Sequence, residues 1–453
     1  MPRFVILFVA LFLALPAAAQ RPNIVFILAD DLGYSDLGAY GNPFNETPRI
    51  DSLARMGMRF TQAYVASPIC SPSRAAIMTG RHPARLHLTN YLVGLRTDPS
   101  SNLDPAPFQH YLAPGETTLA EMLREAGYNT GIVGKWHLGG ADSVSAHAQG
   151  FEYDRIISKN GLDYYNYSIS SRNETVFEDD GTHYITDRLT DYAVDFIDQQ
   201  TADKPFFLYV PYSAPHVLIV PRGDKLRPFL FKYNAFGGRY NPYYAALLES
   251  LDDGVGRILD ALAANGLDEN TLVVFTSDNG GLGIDELGPT PTFNDPLRAW
   301  KGFVYEGGAR IPYIVRWPGH IDAGTTNDHY ITGTDHLPTF MDILGVHDFP
   351  RPLDGISYLA TLRDASAPFD RGPIYWHYPH FSNQTSRPAG AMRLGDFKLV
   401  EHYETGALEL YDLSVDVGEN VDVSRHFPEK TAAMHAMLRA WRAEVDATMP
   451  LTR

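Results

Sequence analysis

The run "NIVFILADD", residues 23–31, decides the reading of the fold. Six apolar residues, Ile24 to Ala29, lead without a break into two adjacent carboxylates, Asp30 and Asp31. A short, unalternating run rich in β-branched and aromatic side chains reads as a strand buried on both faces. Four further runs share this build: "NTGIVGKWH" (129–137), "PFFLYVPYSAPH" (205–216), "TLVVFTSDNGG" (271–281) and "RIPYIVRWPG" (310–319). Helix-like patterns stand between several of them, at 117–128, 185–200 and 243–266. Apolar strands alternating with amphipathic helices predict an α/β fold, built on a large, mostly parallel sheet flanked by helices.

The residues that end these strands carry the chemistry. Four of the runs deliver polar groups at their carboxyl ends: Asp30 and Asp31; Lys135 and His137; His216; Asp278 and Asn279. Open α/β sheets bind ligands beyond the carboxyl ends of their strands, so these groups are expected to converge on one edge. Asp30, Asp31, Asp278 and Asn279 are hard oxygen donors, which suit Ca²⁺ or Mg²⁺ rather than zinc. Taken singly, each is as well explained as a helix cap or a turn residue.

The texture changes after about residue 370, where "PIYWHYPHF", "AMRLGDFKLVEHY" and "ALELYDL" read as short strands. A final helix follows, with Met434, Met437, Leu438, Trp441 and Val445 on one stripe. This predicts a smaller C-terminal α+β subdomain with an antiparallel sheet. The expected division is a leader at 1–19, a catalytic domain at 20–369 and the subdomain at 370–453. The leader reading rests on Arg3, the apolar run Phe4–Leu15 and the small-residue exit Ala17-Ala18-Ala19, the order of a secretory signal peptide. No later stretch is long and apolar enough to span a bilayer. The mature chain is therefore expected to be exported, periplasmic or secreted, with no membrane attachment after cleavage.

A net charge of −17 argues against nucleic acid as a partner and requires any anion site to be locally basic. The chain holds one cysteine, Cys70, so no disulfide can form within it. A lone cysteine in an exported protein is incidental, paired between molecules, or reactive. Pro72, Arg74 and the following "AAIMTG" put Cys70 at the start of a helix, where free N–H groups favour an anion.

The pattern Cys-x-Pro-x-Arg in "CSPSRAAIMTGRHP", with "GIVGKWHLG", "SAPH", "SDNGG" and "LRAWKGFVYEGGARIPYIVRWPG", resembles the formylglycine-dependent sulfatases of the alkaline phosphatase superfamily, most closely the bacterial carbohydrate sulfatases. The resemblance covers nearly all of the mature chain. It implies that a formylglycine-generating enzyme oxidises Cys70 to 3-oxoalanine, Cα-formylglycine. Hydrated, this aldehyde is a diol: one hydroxyl attacks the sulfur of a sulfate ester and the other drives release of sulfate. The resemblance further implies one Ca²⁺ held by Asp30, Asp31, Asp278, Asn279 and the converted Cys70. Arg74 and Lys135 would fix the diol, His137 would take its proton, and His216 and Lys301 would contact the sulfate and protonate the leaving oxygen.

The expected activity is therefore that of a sulfuric ester hydrolase acting on a sulfated saccharide. His377 and His380, in "WHYPHFSNQT" (376–385), are expected to contact the sugar, and the basic, aromatic segment 225–240 reads as a saccharide-binding or an ordinary surface loop. Trp136 reads as packing, and Asp36 and Arg81 as members of structural ion pairs. The alternatives are a phosphate or phosphonate monoester hydrolase of the same fold, and an unmatured saccharide-binding protein.

Overall fold

The computed structural model describes residues 21–92, 94–159 and 163–453. The leader read from the sequence lies outside them. Among the described residues no helix is long and apolar enough to cross a membrane.

The central sheet contains β1 (Asn23–Ala29), β2 (Met58–Tyr64), β3 (Asn129–Gly134), β4 (Tyr153–Lys159), β5 (Ser168–Ser171), β6 (Glu174–Glu178), β7 (Phe206–Pro211), β8 (Thr271–Ser277), β9 (Arg310–Arg316), β10 (Thr325–Asn327) and β11 (Ile331–Thr332). Its order is β10-β2-β9-β8-β1-β7-β3-β4-β5-β6, with β11 also on β2. The middle of the sheet, from β8 through β1, β7 and β3 to β4, is parallel. The fifth apolar run, β9, is antiparallel to both of its neighbours, and β5 and β6 extend the far edge as an antiparallel hairpin.

β1 shows why both faces are apolar. Ile24, Phe26 and Leu28 point into one core with Ile77 and Met78 of α2 (Cys70–Thr79). Val25, Ile27 and Ala29 point into the other, against α1 (Pro48–Arg55), α4 (Ile185–Asp198) and α6 (Pro242–Ala264). Between them, α3 (Leu119–Glu125) begins with a capping box of Thr118 and Glu121. The segment expected to be a loop at 225–240 is instead largely α5 (Gly223–Ala235), with Pro228 inside it. Phe229 is buried against Phe44, and Leu226, Tyr233 and Phe236 pack around them.

The C-terminal sheet has the order β12 (Ile374–Tyr378), β13 (Ala389–Leu394), β14 (Phe397–His402), β15 (Leu408–Asp412), antiparallel throughout. The final helix, Pro428–Glu444, lays Met434, Leu438 and Trp441 on one face of it. The other face packs on the central domain through Trp376, Tyr378, Tyr64, Val304 and Ile69, the residue before Cys70.

A buried charged cluster ties the two parts. Lys398 stands between Glu306 at 2.9 Å and Glu419 at 3.2 Å, and Tyr64 donates to Glu306 at 2.7 Å. Burial alone would raise Glu306, but Lys398, Arg310 and Arg393 hold it down to about 2, while burial and Glu306 push Glu419 up to about 7. Lys398→Met would leave these two carboxyls without their shared cation. We predict a loss of about 3 kcal/mol of stability, read as a lower urea midpoint. An unchanged midpoint would show that the cluster contributes nothing.

Candidate active site

Each group at the carboxyl edge is set by a local backbone requirement. Asp31, just past β1, has φ 69°, and His137, past β3, has φ 57°. Such values are uncommon outside glycine, Asn and Asp. Gly134 ends β3 at φ 135°, and a Cβ there would lie 2.0 Å from the Pro211 carbonyl oxygen. Only glycine lets β3 and β7 approach closely enough for the Lys135 N–H to donate to that same carbonyl at 2.8 Å.

The strand ends and the start of α2 converge. Lys135 Nζ lies 2.5 Å from Asp30 Oδ2, and Lys301 Nζ lies 2.6 and 2.8 Å from the two oxygens of Asp31. Arg74 meets Asp278 at 2.7 Å and Asp30 at 3.5 Å, and donates to the Lys135 carbonyl at 2.7 Å. His216 Nε2 is 3.4 Å from Asp31 Oδ2. Three fully buried carboxylates thus face three cations, so the floor is balanced in charge within an acidic protein. Burial opposes the charge on Asp30, but Lys135, His216, Arg74 and Lys301 outweigh it and hold that carboxyl well below its usual range. Burial and the Asp30 charge push Asp278 up to about 7.

Cys70 is free, buried and the first residue of α2. Its Sγ is 3.5 Å from Asp30 Oδ1 and 3.9 Å from Asp31 Oδ1. Burial raises its pKa far above that of an ordinary thiol, so the unmodified side chain is a neutral thiol and a poor nucleophile.

The donor set fits a divalent cation. Asp30, Asp31, Cys70 and His216 each offer an atom within 4.8 Å of the others. Asn279 donates to Asp31 at 2.7 Å, while its own Oδ1 is buried without a partner. A buried amide oxygen without a donor is costly, and a hard cation beside the carboxylates would satisfy it. Asp278 stands one step back: its Oδ1 accepts the Asp31 N–H at 3.2 Å and its Oδ2 is held by Arg74.

A cavity of about 730 Å³ opens above Cys70, Lys135, His137, His216 and Lys301. His137 is half-buried at the cavity floor, and its Nδ1 is buried without a partner. Burial, Lys135 and Arg74 together hold its pKa well below the usual value, so the ring is neutral and can accept a proton. Burial, supported by Lys301, also lowers His216, whose Nδ1 faces the Val217 carbonyl at 2.6 Å.

Four sequence expectations need revision or refinement here. His377 and His380 do not reach the cavity. Both are buried, His377 between Tyr403 at 2.7 Å and the Thr448 carbonyl at 3.0 Å, and His380 against Thr89 at 2.8 Å. For His377 the cause is that both faces of β12 are covered, so alternate side chains are buried on either side; His380, just past β12, packs between Phe108 and Tyr378. From that segment it is Asn383 that lines the cavity. Trp136 packs on Phe151 as expected and also forms cavity wall. Asp36 is not in an ion pair: it accepts from Gly33 at 2.8 Å, Phe293 at 2.6 Å and Tyr244 at 2.7 Å, whereas Arg81 does pair with Glu116. Sequence reasoning missed Tyr91 and the β4 residues Ile156 and Ile157, which also form the wall.

Comparison with known proteins matches this geometry. The profile of the Sulfatase family matches residues 22–346, and that of the N-sulphoglucosamine sulphohydrolase C-terminal region matches residues 299–444. A sulfatase of Formosa agariphila is 32% identical, with 95% of this chain and 90% of the relative covered. The N-acetylgalactosamine-6-sulfatase of Rattus norvegicus is 33% identical, with 93% and 80% covered. The solved structure of Ps i-CgsB in complex with k-i-k-neocarrahexaose superposes with a TM-score of 0.81 at 30% identity, covering 93% of each chain. This chain belongs to the sulfatase family and is a sulfuric ester hydrolase.

Proposed function

We propose that this sulfatase hydrolyses a sulfate ester of a saccharide bound in the cavity, with Cys70 converted to Cα-formylglycine before export. The floor of the cavity carries this reading: an inert buried thiol at a helix start, ringed by three carboxylates and three cations. A rat relative is named for a sulfated amino sugar, and a solved relative holds an oligosaccharide, which supports a carbohydrate substrate.

Asp30, Asp31, Asp278, Asn279 and the converted Cys70 would hold Ca²⁺, which supplies positive charge against a sulfate oxygen and favours the ionised nucleophile. Formylglycine, once hydrated, supplies a diol in place of the thiol. Arg74 and Lys135 hold negative charge at this position, because each is a cation fixed by a buried carboxylate. Neutral His137 receives a proton from the same place. Lys301 and His216, both held against Asp31, orient the sulfate and serve the leaving oxygen. The leader, export to the periplasm or medium, maturation by a formylglycine-generating enzyme and the division at residue 370 belong to the same proposal.

The mass of the tryptic peptide Phe60–Arg74 tests it, using protein made in a host proven to mature another sulfatase. The expected peptide is lighter by the difference between CH₂SH and CHO. An unmodified thiol there would reject the formylglycine reading in favour of a silent binding protein. A large preference for a phenyl phosphonate over a phenyl sulfate would instead point to a phosphonate monoester hydrolase. His216→Ala should cost a sugar sulfate at least about tenfold more in kcat than an aryl sulfate, whose leaving group needs little protonation. Equal losses would remove His216 from the leaving-group role.

A further inference from the structure

We infer that the sugar unit held in the cavity carries a single sulfate and no second anionic group. This rests on the reading of the protein as a carbohydrate sulfatase and says which saccharides it takes. The cations of the cavity all stand at its floor. Lys135 and Lys301 are there, each already matched to a carboxylate, with His137 and His216 beside them. Above the floor the wall is apolar or neutral. Leu92, Trp136, Ile156, Ile157 and Val217 supply apolar surface, and Tyr91, Ser158 and Asn383 supply uncharged hydrogen-bonding groups.

Among the described residues that line the cavity, Lys135 and Lys301 are the sole Lys or Arg side chains. The four internal positions outside the description are Val93, Asn160, Gly161 and Leu162, none of them basic. The nearest arginines along the chain are otherwise engaged or outside the lining. Arg155 stacks on Tyr153 at 4.4 Å and Tyr192 at 5.3 Å, and exposed Arg172 is not part of the wall. The one charged wall residue above the floor, Asp154, is acidic. Its carboxylate is spent on Ser171 Oγ at 2.9 Å and the Arg172 N–H at 2.8 Å. Asn173, which also lines the cavity, donates to the Asp142 carboxylate at 2.6 Å and adds no cation.

The sulfate that reacts is met by the floor. A second sulfate, or a carboxylate, on the same sugar would leave water for a wall with no cation to receive it. Burying an anion unpaired is among the costliest things a site can do. The net charge of −17 adds repulsion rather than relief. Hydroxyl and acetamido groups meet no such penalty, because tyrosine, serine and asparagine can satisfy them and the isoleucine and tryptophan surface can cover a sugar face.

The test compares N-acetylgalactosamine and galactose monosulfates with their disulfates, using matured holoenzyme, sulfate release as readout and 4-nitrophenyl sulfate as the competence control. The best monosulfate should exceed the matching disulfate by about 100-fold in kcat/KM. Values within about threefold of each other would overturn the inference while leaving the saccharide reading intact. Hydrolysis of the aryl sulfate with none of any sugar sulfate would instead overturn the saccharide reading itself. Ser158→Arg, at the exposed end of β4, places a cation in the wall. It should raise the disulfate-to-monosulfate ratio by at least about tenfold, and an unchanged ratio would show that the missing cation is not the cause.

Discussion

Cys70→Ala is expected to lower kcat of the matured enzyme by about 10⁴-fold or more, with KM little changed. The cost follows from removing the nucleophile while the binding floor survives, and losses of this size accompany deletion of a covalent nucleophile. The fold should tolerate it. Cys70 is the first residue of α2, is small, and makes no disulfide. Steady-state kinetics on an aryl sulfate, beside a denaturation curve, would check both halves. Residual activity within a factor of about ten would mean that the attacking group lies elsewhere. Cys70→Ser separates attack from release. One hydroxyl can take up sulfate but has no second hydroxyl to expel it, so the expected product is a single covalent sulfation without turnover, read by intact mass.

The second large effect is expected at Asp31. This residue receives Lys301 on both oxygens, His216 at 3.4 Å and Asn279 at 2.7 Å, so three functional groups depend on one carboxylate. Asp31→Asn is the informative variant, because asparagine tolerates the φ of 69° where alanine would add strain. It keeps the shape and removes the charge. The prediction is a loss of about 10³-fold in kcat/KM, together with a calcium requirement shifted upward by at least about tenfold in chelator-treated protein. A fall in activity without a change in calcium requirement would restrict Asp31 to holding Lys301 and His216. Retained activity would remove it from the site.

The parts of this site that were legible in the sequence share one physical cause. A strand buried on both faces must be apolar throughout, so the first polar residue after it marks the exit from the sheet. That is how Asp30, Lys135, His216 and Asp278 declared themselves. The antiparallel course of β9 was not legible, because a strand sandwiched between two others is equally apolar in either direction. α5 was obscured by Pro228 and by its basic, aromatic composition, although Leu226, Phe229 and Tyr233 keep helical spacing against Phe44. His377 and His380 misled because a histidine between aromatics resembles a sugar contact, and only the covering of both faces of β12 for His377, and the packing of His380 on Phe108, Tyr378 and Thr89, show them to be core. The cavity wall was the least legible part. Tyr91, Ile156 and Asn383 come from three distant segments that only the folded chain assembles.

The cluster of Lys398 with Glu306 and Glu419 bears on how such enzymes can be recombined. Glu306 lies five residues after Lys301, and the sheet carrying Lys398 packs on Ile69, next to Cys70. Grafting a relative's last eighty or so residues onto this chain would therefore change the support beneath the nucleophile as well as the mouth of the cavity. A chimera should work only when the donor brings a lysine opposite Glu306, or when the crossover is moved upstream of residue 299 so that loop, glutamate and lysine travel together.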